Sequence, residues 1–189
     1  MESKQAAKNV AEVFALYEKY GRADYIGEPV SQVEHMAQAA QLAEEEGYEE
    51  EVILAAFFHD IGHLYEFGLP VKQMGEAGVA DHENIGADFL IQKGFSQKIA
   101  RLVQSHVPAK RYLTYKFPEY FEKLSPASKT TLHYQGGIMN DTEADSFEKD
   151  PLFSLYIKLR EWDDRAKEKN KAFLSLDKYK QMALAQLSK

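Results

Sequence analysis

Apolar residues recur at helical spacing along most of the chain. Val10, Val13, Phe14 and Tyr17 fall on one stripe of a helix predicted over residues 3–20, with Gly21 as its stop. Residues 22–29 break that pattern with Gly and Pro and read as a loop. Ser31 with Glu34 three positions on forms a capping box for a second helix, which carries His35 in its first turn, packs through Val33, Ala37, Ala40 and Ala43, and ends at Gly47. A third helix, over about residues 49–63, contains the unbroken apolar run Val52–Phe58 and must be buried on most of its circumference. Gly68, Pro70, Gly75 and Gly78 make the next stretch a long loop of the kind that covers sites. A fourth helix, from about Asp81 to Gly94, places His82, Ile85 and Phe89 inward. Ser96 caps a fifth, where Ile99, Leu102, Val103 and His106 share the inner face and Val107-Pro108 is expected to close the helix. Ser125-Pro126 opens a further helix that Gly136-Gly137 ends. Asp150-Pro151 opens a long one with Leu152, Tyr156, Leu159, Arg160 and Asp163 inward, and a last helix spans about 177–187. No strand alternation and no repeat is visible, so the expectation is an all-α chain forming one domain over residues 1–189.

The apolar run ends in Phe57-Phe58-His59-Asp60-Ile61-Gly62-His63, which places ionisable groups where burial is costly unless each finds a partner or a metal. Adjacent residues on a helix project about 100° apart, so His59 and Asp60 can both reach one centre. Four histidines, His35, His59, His82 and His106, face inward from four separate helices, and Asp60 and Asp163 can join them. A lone inward histidine is ordinarily a core residue satisfied by a hydrogen bond. Four at apolar-face positions, one joined to an aspartate, point to metal ligation. Six such groups are too many for one metal with open positions and right for two, with Asp60 able to bridge. His59-Asp60-Ile61-Gly62-His63 also imitates the zinc-protease H-E-x-x-H pattern, but Asp is one methylene shorter than the required Glu, and Gly62 suggests that the helix stops there.

Composition narrows the chemistry. The chain has 189 residues and no cysteine, which excludes disulfides, thiolate zinc sites, iron–sulfur clusters and cysteine nucleophiles. A metal must therefore sit on His, Asp, Glu or Tyr, which suits iron, manganese or zinc. The net charge of −7 disfavours nucleic acid as a partner. No signal peptide and no membrane-spanning run is expected, and the cytoplasm is the expected compartment. Nothing in the sequence fixes an oligomeric state, although the apolar first helix leaves room for a dimer.

His35, His59-Asp60 and the distant Asp163 resemble the H…HD…D signature of the HD-domain superfamily, whose members are mostly metal-dependent phosphohydrolases on helical bundles. His82 and His106 resemble the additions of its two-metal subset. A longer likeness covers nearly the whole chain: Asp24-Tyr25-Ile26-Gly27-Glu28, Gln32-Val33-Glu34-His35, Gly86-Ala87-Asp88-Phe89-Leu90, Gly94-Phe95-Ser96, His106 through Leu113, Tyr134-Gln135-Gly136-Gly137 and Arg160-Glu161-Trp162-Asp163. These resemble the HD-domain mixed-valence di-iron oxygenases of phosphonate catabolism, which act on 1-hydroxyethylphosphonates bearing a 2-amino or 2-trimethylamino group. The resemblance implies a single-domain HD-superfamily bundle and two iron ions, Fe(II)/Fe(III), as cofactor. It further implies a small organophosphonate and O2 as partners, and C–P cleavage to phosphate and glycine or glycine betaine. It implies His35, His59, Asp60 and Asp163 around one iron and Asp60, His82 and His106 around the other. Tyr25 would occupy an iron position until substrate displaces it, and His63 would lie on the substrate side of the cluster. Glu28 would lie near the cationic end of the substrate, and Lys110, Ser128 and Arg160 would hold the phosphonate. A dianion with three acceptor oxygens calls for such Lys and Arg donors in any case. Tyr65 and Phe67 could supply aromatic faces for a trimethylammonium, which tips the expectation toward that substrate. The competing expectation is an HD-type phosphohydrolase acting on a nucleotide or phosphate ester.

Overall fold

The computed structural model describes residues 2–25, 27–64, 72–75, 78–171 and 175–189. Among these residues eleven helices form and no strand: α1 (Ser3–Tyr20), α2 (Gln32–Glu45), α3 (Glu50–Phe58), α4 (Ile61–Leu64), α5 (His82–Gln92), α6 (Gln97–Lys116), α7 (Pro118–Lys123), α8 (Pro126–Tyr134), α9 (Asp141–Glu148), α10 (Phe153–Arg165) and α11 (Leu176–Leu187). The all-α expectation holds. No helix among the described residues is long and apolar enough to cross a membrane.

Helix α3 lies at the centre because its sequence leaves it no other place. Every residue from Val52 to Phe58 is buried, and α2, α6, α10 and α11 pack around it. Phe57 stacks on Tyr17 of α1 at 4.7 Å between ring centroids and on Tyr179 of α11 at 4.2 Å. The Tyr17 hydroxyl donates to the Phe57 carbonyl at 3.0 Å, so this buried polar tip is paired. Burying each such aromatic contributes roughly 1.5–3 kcal/mol. A smaller apolar cluster around Tyr112, Leu113, Met139 and Ala144 ties the outer end of α6 to α9.

Local signals set most helix starts. The Ser31 hydroxyl accepts from Glu34 N–H while the Glu34 carboxylate accepts from Ser31 N–H, the reciprocal capping box. Ser96 and Ser125 cap α6 and α8, and Gly47 and Gly94 take positive φ where α2 and α5 stop.

Four features depart from the sequence reading. Pro108 does not close its helix; α6 runs through it to Lys116. The carbonyl that loses its partner is that of Gln104, which lies on the exposed side with Pro108, where water can satisfy it. The predicted third helix is broken at His59-Asp60. The His59 ring takes the Ala56 carbonyl at 2.8 Å, the acceptor a regular helix would offer to the Asp60 N–H. Gly62 does not end a helix. It lies inside α4, where an added Cβ would sit 2.0 Å from the His82 carbonyl oxygen, so α4 and α5 approach backbone to backbone. Helices α7 and α9 formed from stretches with no sequence prediction. Most of the long loop expected to follow α4, with Tyr65 and Phe67, lies outside the described residues.

Gly62→Ala would force that close contact apart. The expected cost is about 3 kcal/mol, or a fall in Tm of roughly 6–12 °C for a chain of this size. Thermal unfolding by circular dichroism measures it; an unchanged Tm would refute the close approach of α4 and α5.

Candidate metal centre and substrate cavity

All six expected ligands converge. His35 comes from the first turn of α2, His59 and Asp60 from the α3–α4 turn, His82 from the start of α5, His106 from mid-α6 and Asp163 from α10. Each is no more than 3% exposed. The two oxygens of Asp60 face opposite ways. Oδ2 lies 3.5 Å from Nε2 of both His35 and His59, and Oδ1 lies 3.4 Å from Nε2 of His82 and 3.3 Å from that of His106. Asp163 Oδ1 joins the first pair, 3.4 Å from His35 Nε2.

The tautomers follow from the outer ring nitrogens. Nδ1 of His35 meets the Ala166 carbonyl at 2.9 Å, that of His59 the Ala56 carbonyl, that of His82 the Val79 carbonyl at 3.2 Å and that of His106 the Val103 carbonyl at 2.7 Å. A carbonyl only accepts, so each Nδ1 carries the proton and each neutral ring aims an Nε2 lone pair inward. Those lone pairs face each other, His35 to His59 at 3.0 Å and His82 to His106 at 2.9 Å. Between neutral rings two acceptors cannot hydrogen-bond; without metal, a proton on one ring of a pair bridges it. An octahedral ion, however, separates adjacent nitrogens by about 3.0 Å when metal–nitrogen bonds are roughly 2.1 Å. The donor set therefore fits two cations sharing the Asp60 carboxylate. Backbone carbonyls behind the imidazoles fix ring orientation as metal-ligating histidines require.

The electrostatics agree. Burial raises the Asp60 carboxyl, but His59, His106 and His35 overcome it and hold Asp60 well below the usual carboxylate range. Burial lowers His35, yet the Asp163 and Asp60 carboxylates push it up to about 9. Two buried carboxylates demand positive charge; protons supply it without metal, and metal binding would release them.

His63 behaves differently. Its ring stacks on His82 at 3.9 Å, and its Nδ1 accepts from Val79 N–H at 3.2 Å. The proton of the neutral ring must then be on Nε2. Burial and the neighbouring His82 hold its pKa well below the usual histidine value. His63 is within ligand distance of Asp60 and His82, but a ring with Nδ1 engaged and Nε2 protonated is a hydrogen-bond donor, so His106 is the better third ligand.

A cavity of about 40 Å³ opens on the Asp60–His82–His106 side, bordered by Tyr25, His63, Lys110, Ser128 and Arg160 from the sequence prediction. Thr131 and Gln135 line it too and were missed. Their signal was the 128–131–135 spacing, a polar stripe on one face of α8. Because α6 is continuous, Lys110 sits one turn above His106 on the same face. Its Nζ donates to Thr131 Oγ1 at 2.8 Å, and burial with the nearby Arg160 lowers its pKa to about 7. Arg160 is held on three sides, by Asp163 Oδ2 at 2.7 Å, the Tyr120 hydroxyl at 2.9 Å and Asp164. Its hold on Oδ2 leaves Oδ1 of Asp163 to face the metal position. Tyr25 lies flat on the His35 ring at 4.0 Å; burial and the nearby Asp60 and Asp163 carboxylates raise its phenol well above the usual value. Glu28 does not border the cavity but pairs with Lys167 at 2.9 Å.

The HD domain profile matches residues 33–133. The chain is 48% identical over 184 residues to an uncharacterised protein of Acanthamoeba polyphaga mimivirus, covering 97% of this chain and 84% of that one. It is 41% identical over 167 residues, 87% of this chain and 84% of the relative, to a [1-hydroxy-2-(trimethylamino)ethyl]phosphonate dioxygenase (glycine-betaine-forming) of Leisingera caerulea. It is 37% identical over 177 residues, 94% and 87% respectively, to a hydroxymethylphosphonate dioxygenase of Gimesia maris.

Shared ligation predicts a pattern of metal loss. After saturation and desalting, elemental analysis should find about two metals per chain in the wild type and about one in His82→Ala. Asp60→Ala should hold less than one, because it removes the group common to both positions. A wild-type content that saturates at one would contradict the bridging role.

Proposed function

The chain belongs to the HD-domain family, and on that premise we propose that it is a di-iron oxygenase that cleaves the C–P bond of a 1-hydroxyalkylphosphonate with O2. The observation that carries this reading is the division of the Asp60 carboxylate between two imidazole pairs beside a cavity lined by Lys110 and Arg160. Two adjacent sulfur-free N/O metal positions suit non-haem iron, and buried cations next to them suit a phosphonate dianion. Relatives with this activity in their names include one acting on a trimethylammonium phosphonate and one acting on hydroxymethylphosphonate. The 2-amino and 2-trimethylamino compounds expected from the sequence share with the latter the hydroxyl-bearing carbon attached to phosphorus, the unit the cavity must hold. The named relatives give the alternative phosphohydrolase reading no support.

The residues divide the work. His35, His59, Asp60 and Asp163 would hold one iron, and Asp60, His82 and His106 the other. When bound, the Fe(II)/Fe(III) pair supplies the Lewis acidity and redox chemistry that the side chains lack. Lys110, Arg160 and Ser128 neutralise and orient the phosphonate, with Thr131 holding the Lys110 ammonium in place. His63 offers its Nε2–H to a substrate oxygen. Tyr25 borders a space that holds roughly three waters, and its withdrawal would admit the substrate and its return exclude water. The Arg160 contacts to Tyr120 and Asp164 keep the guanidinium between the metal ligand and the anion.

Iron-loaded protein should consume one O2 per phosphate released, with formate, glycine or glycine betaine as the carbon product, and should display a mixed-valence electron paramagnetic resonance signal. Oxygen-independent hydrolysis of phosphate esters by the zinc or manganese form would instead establish the phosphohydrolase.

Lys110 gives the reaction a pH signature. Its folded pKa lies below the ordinary lysine value, so the cationic form that binds the anion is present below about 7 and lost as pH rises through it. Because kcat/KM reports groups of the free enzyme, kcat/KM should fall across that range while kcat, measured with the anion bound, falls less. Lys110→Gln should abolish this limb and raise KM at least tenfold. A limb that survives the substitution would assign it to another group.

A further inference from the structure

The four inward imidazoles are not backed alike. His35, His59 and His106 each donate through Nδ1 to a neutral carbonyl at 2.7–2.9 Å. His82 has the longest such bond, 3.2 Å to the Val79 carbonyl, and a carboxylate besides: Glu83 Oε2 lies 3.6 Å from the same Nδ1.

Glu83 is an uncommon place for a charge. Acidic side chains favour the first turn of a helix because they face its N-terminus, ordinarily in water. This one, in the first turn of α5, is only 8% exposed. Its Oε2 is buried and, among the described residues, accepts no hydrogen bond. Glu83 borders a surface cavity of about 390 Å³, yet the guanidinium there, Arg101, binds Asp150 at 2.5 Å instead. Among the described residues, the ion pair that Glu83 makes is with His82.

A buried carboxylate oxygen without a donor costs the fold. Glutamine has the same shape without the charge, so packing does not call for the acid. The charge acts toward His82. Burial lowers the His82 imidazole, but the Asp60 and Glu83 carboxylates overcome it and raise the pKa above the usual histidine value. A field that favours a proton on this ring also favours a cation at its inner nitrogen, which faces Asp60 Oδ1 at 3.4 Å. Outer carboxylates behind metal-ligating histidines orient the ring and raise its basicity. The other position is treated the opposite way: its Asp163 carboxylate is bound by the Arg160 guanidinium at 2.7 Å, which offsets its negative charge.

Resting on the two-ion centre proposed above, though not on C–P cleavage, we infer that Glu83 is a positioning residue for the ion on Asp60, His82 and His106. Acting through the His82 ring, its charge strengthens that position and leaves the His35–His59 position unaffected.

Manganese(II), titrated calorimetrically into metal-free protein, reads both positions without redox chemistry. Wild type should bind two ions. Glu83→Gln should weaken one of them by about tenfold or more and leave the other unchanged, whereas Glu83→Asp, which keeps the charge, should weaken it by less than about threefold. Asp88→Asn, which removes an exposed charge from the same helix, should change neither. Metal-free Glu83→Gln should melt no lower than wild type. In iron-loaded protein the midpoint potential should rise with Glu83→Gln and stay with Glu83→Asp, because a buried negative charge holds the ferric ion more strongly than the ferrous. Two unchanged affinities, two equal losses, a loss in Glu83→Asp as large as in Glu83→Gln, an unmoved or lowered potential, or a metal-free Glu83→Gln that melts lower or does not fold overturns the inference. A wild type that binds one ion refutes the shared centre instead, and Glu83 is then judged on that ion by the same tenfold loss or its absence. Failure of C–P cleavage would leave each of these measurements standing.

Discussion

One carboxylate looking two ways organises this molecule. Asp60 turns Oδ2 to the His35–His59 pair and Oδ1 to the His82–His106 pair, at 3.3–3.5 Å throughout. A buried carboxylate is tolerable only with positive charge close by. That requirement couples five separated stretches of chain to one point. It also accounts for the break at His59-Asp60: a regular helix there would give the Ala56 carbonyl to the backbone and leave the His59 ring without its anchor.

Around this point the fold builds rigidity in layers. The apolar helix α3 is enclosed by α2, α6, α10 and α11, so the turn at its end is carried on the most buried element of the bundle. Gly62 lets α4 and α5 touch along their backbones, which brings His82 to Asp60. Carbonyl groups behind the four rings set their tautomers, and Arg160, itself held by Tyr120 and Asp164, sets which oxygen of Asp163 faces the metal position. Ligand geometry maintained to a few tenths of an ångström needs such backing.

The opposite wall is less regular. Tyr25 enters from a turn rather than a helix, held there by its ring stack on His35 and by the Glu28 N–H that donates to its carbonyl. The candidate ligands thus come from helices and the turn between α3 and α4, while the facing wall joins the Tyr25 turn to helix α8. Lys110 belongs to both halves, one helical turn from the ligand His106 and bonded across to Thr131 of α8.

The hydrophobic periodicity alone determined that the chain is helical, where most helices begin, and that four histidines and two aspartates face inward, because helical spacing and capping are local properties. The apolar run Val52–Phe58 likewise announced its own burial. What the sequence could not decide were matters of three-dimensional company. Pro108 reads locally as a stop, and only the solvent beside Gln104 makes a continuous α6 tolerable. Gly62 reads as a terminator, and only the nearness of α5 shows that its missing Cβ is the point. Tyr120, Asp164 and Lys167 carry no local mark at all. Each acquires its place through a partner 40 to 139 residues away along the chain, and such pairings exist only once tertiary packing has brought the segments together.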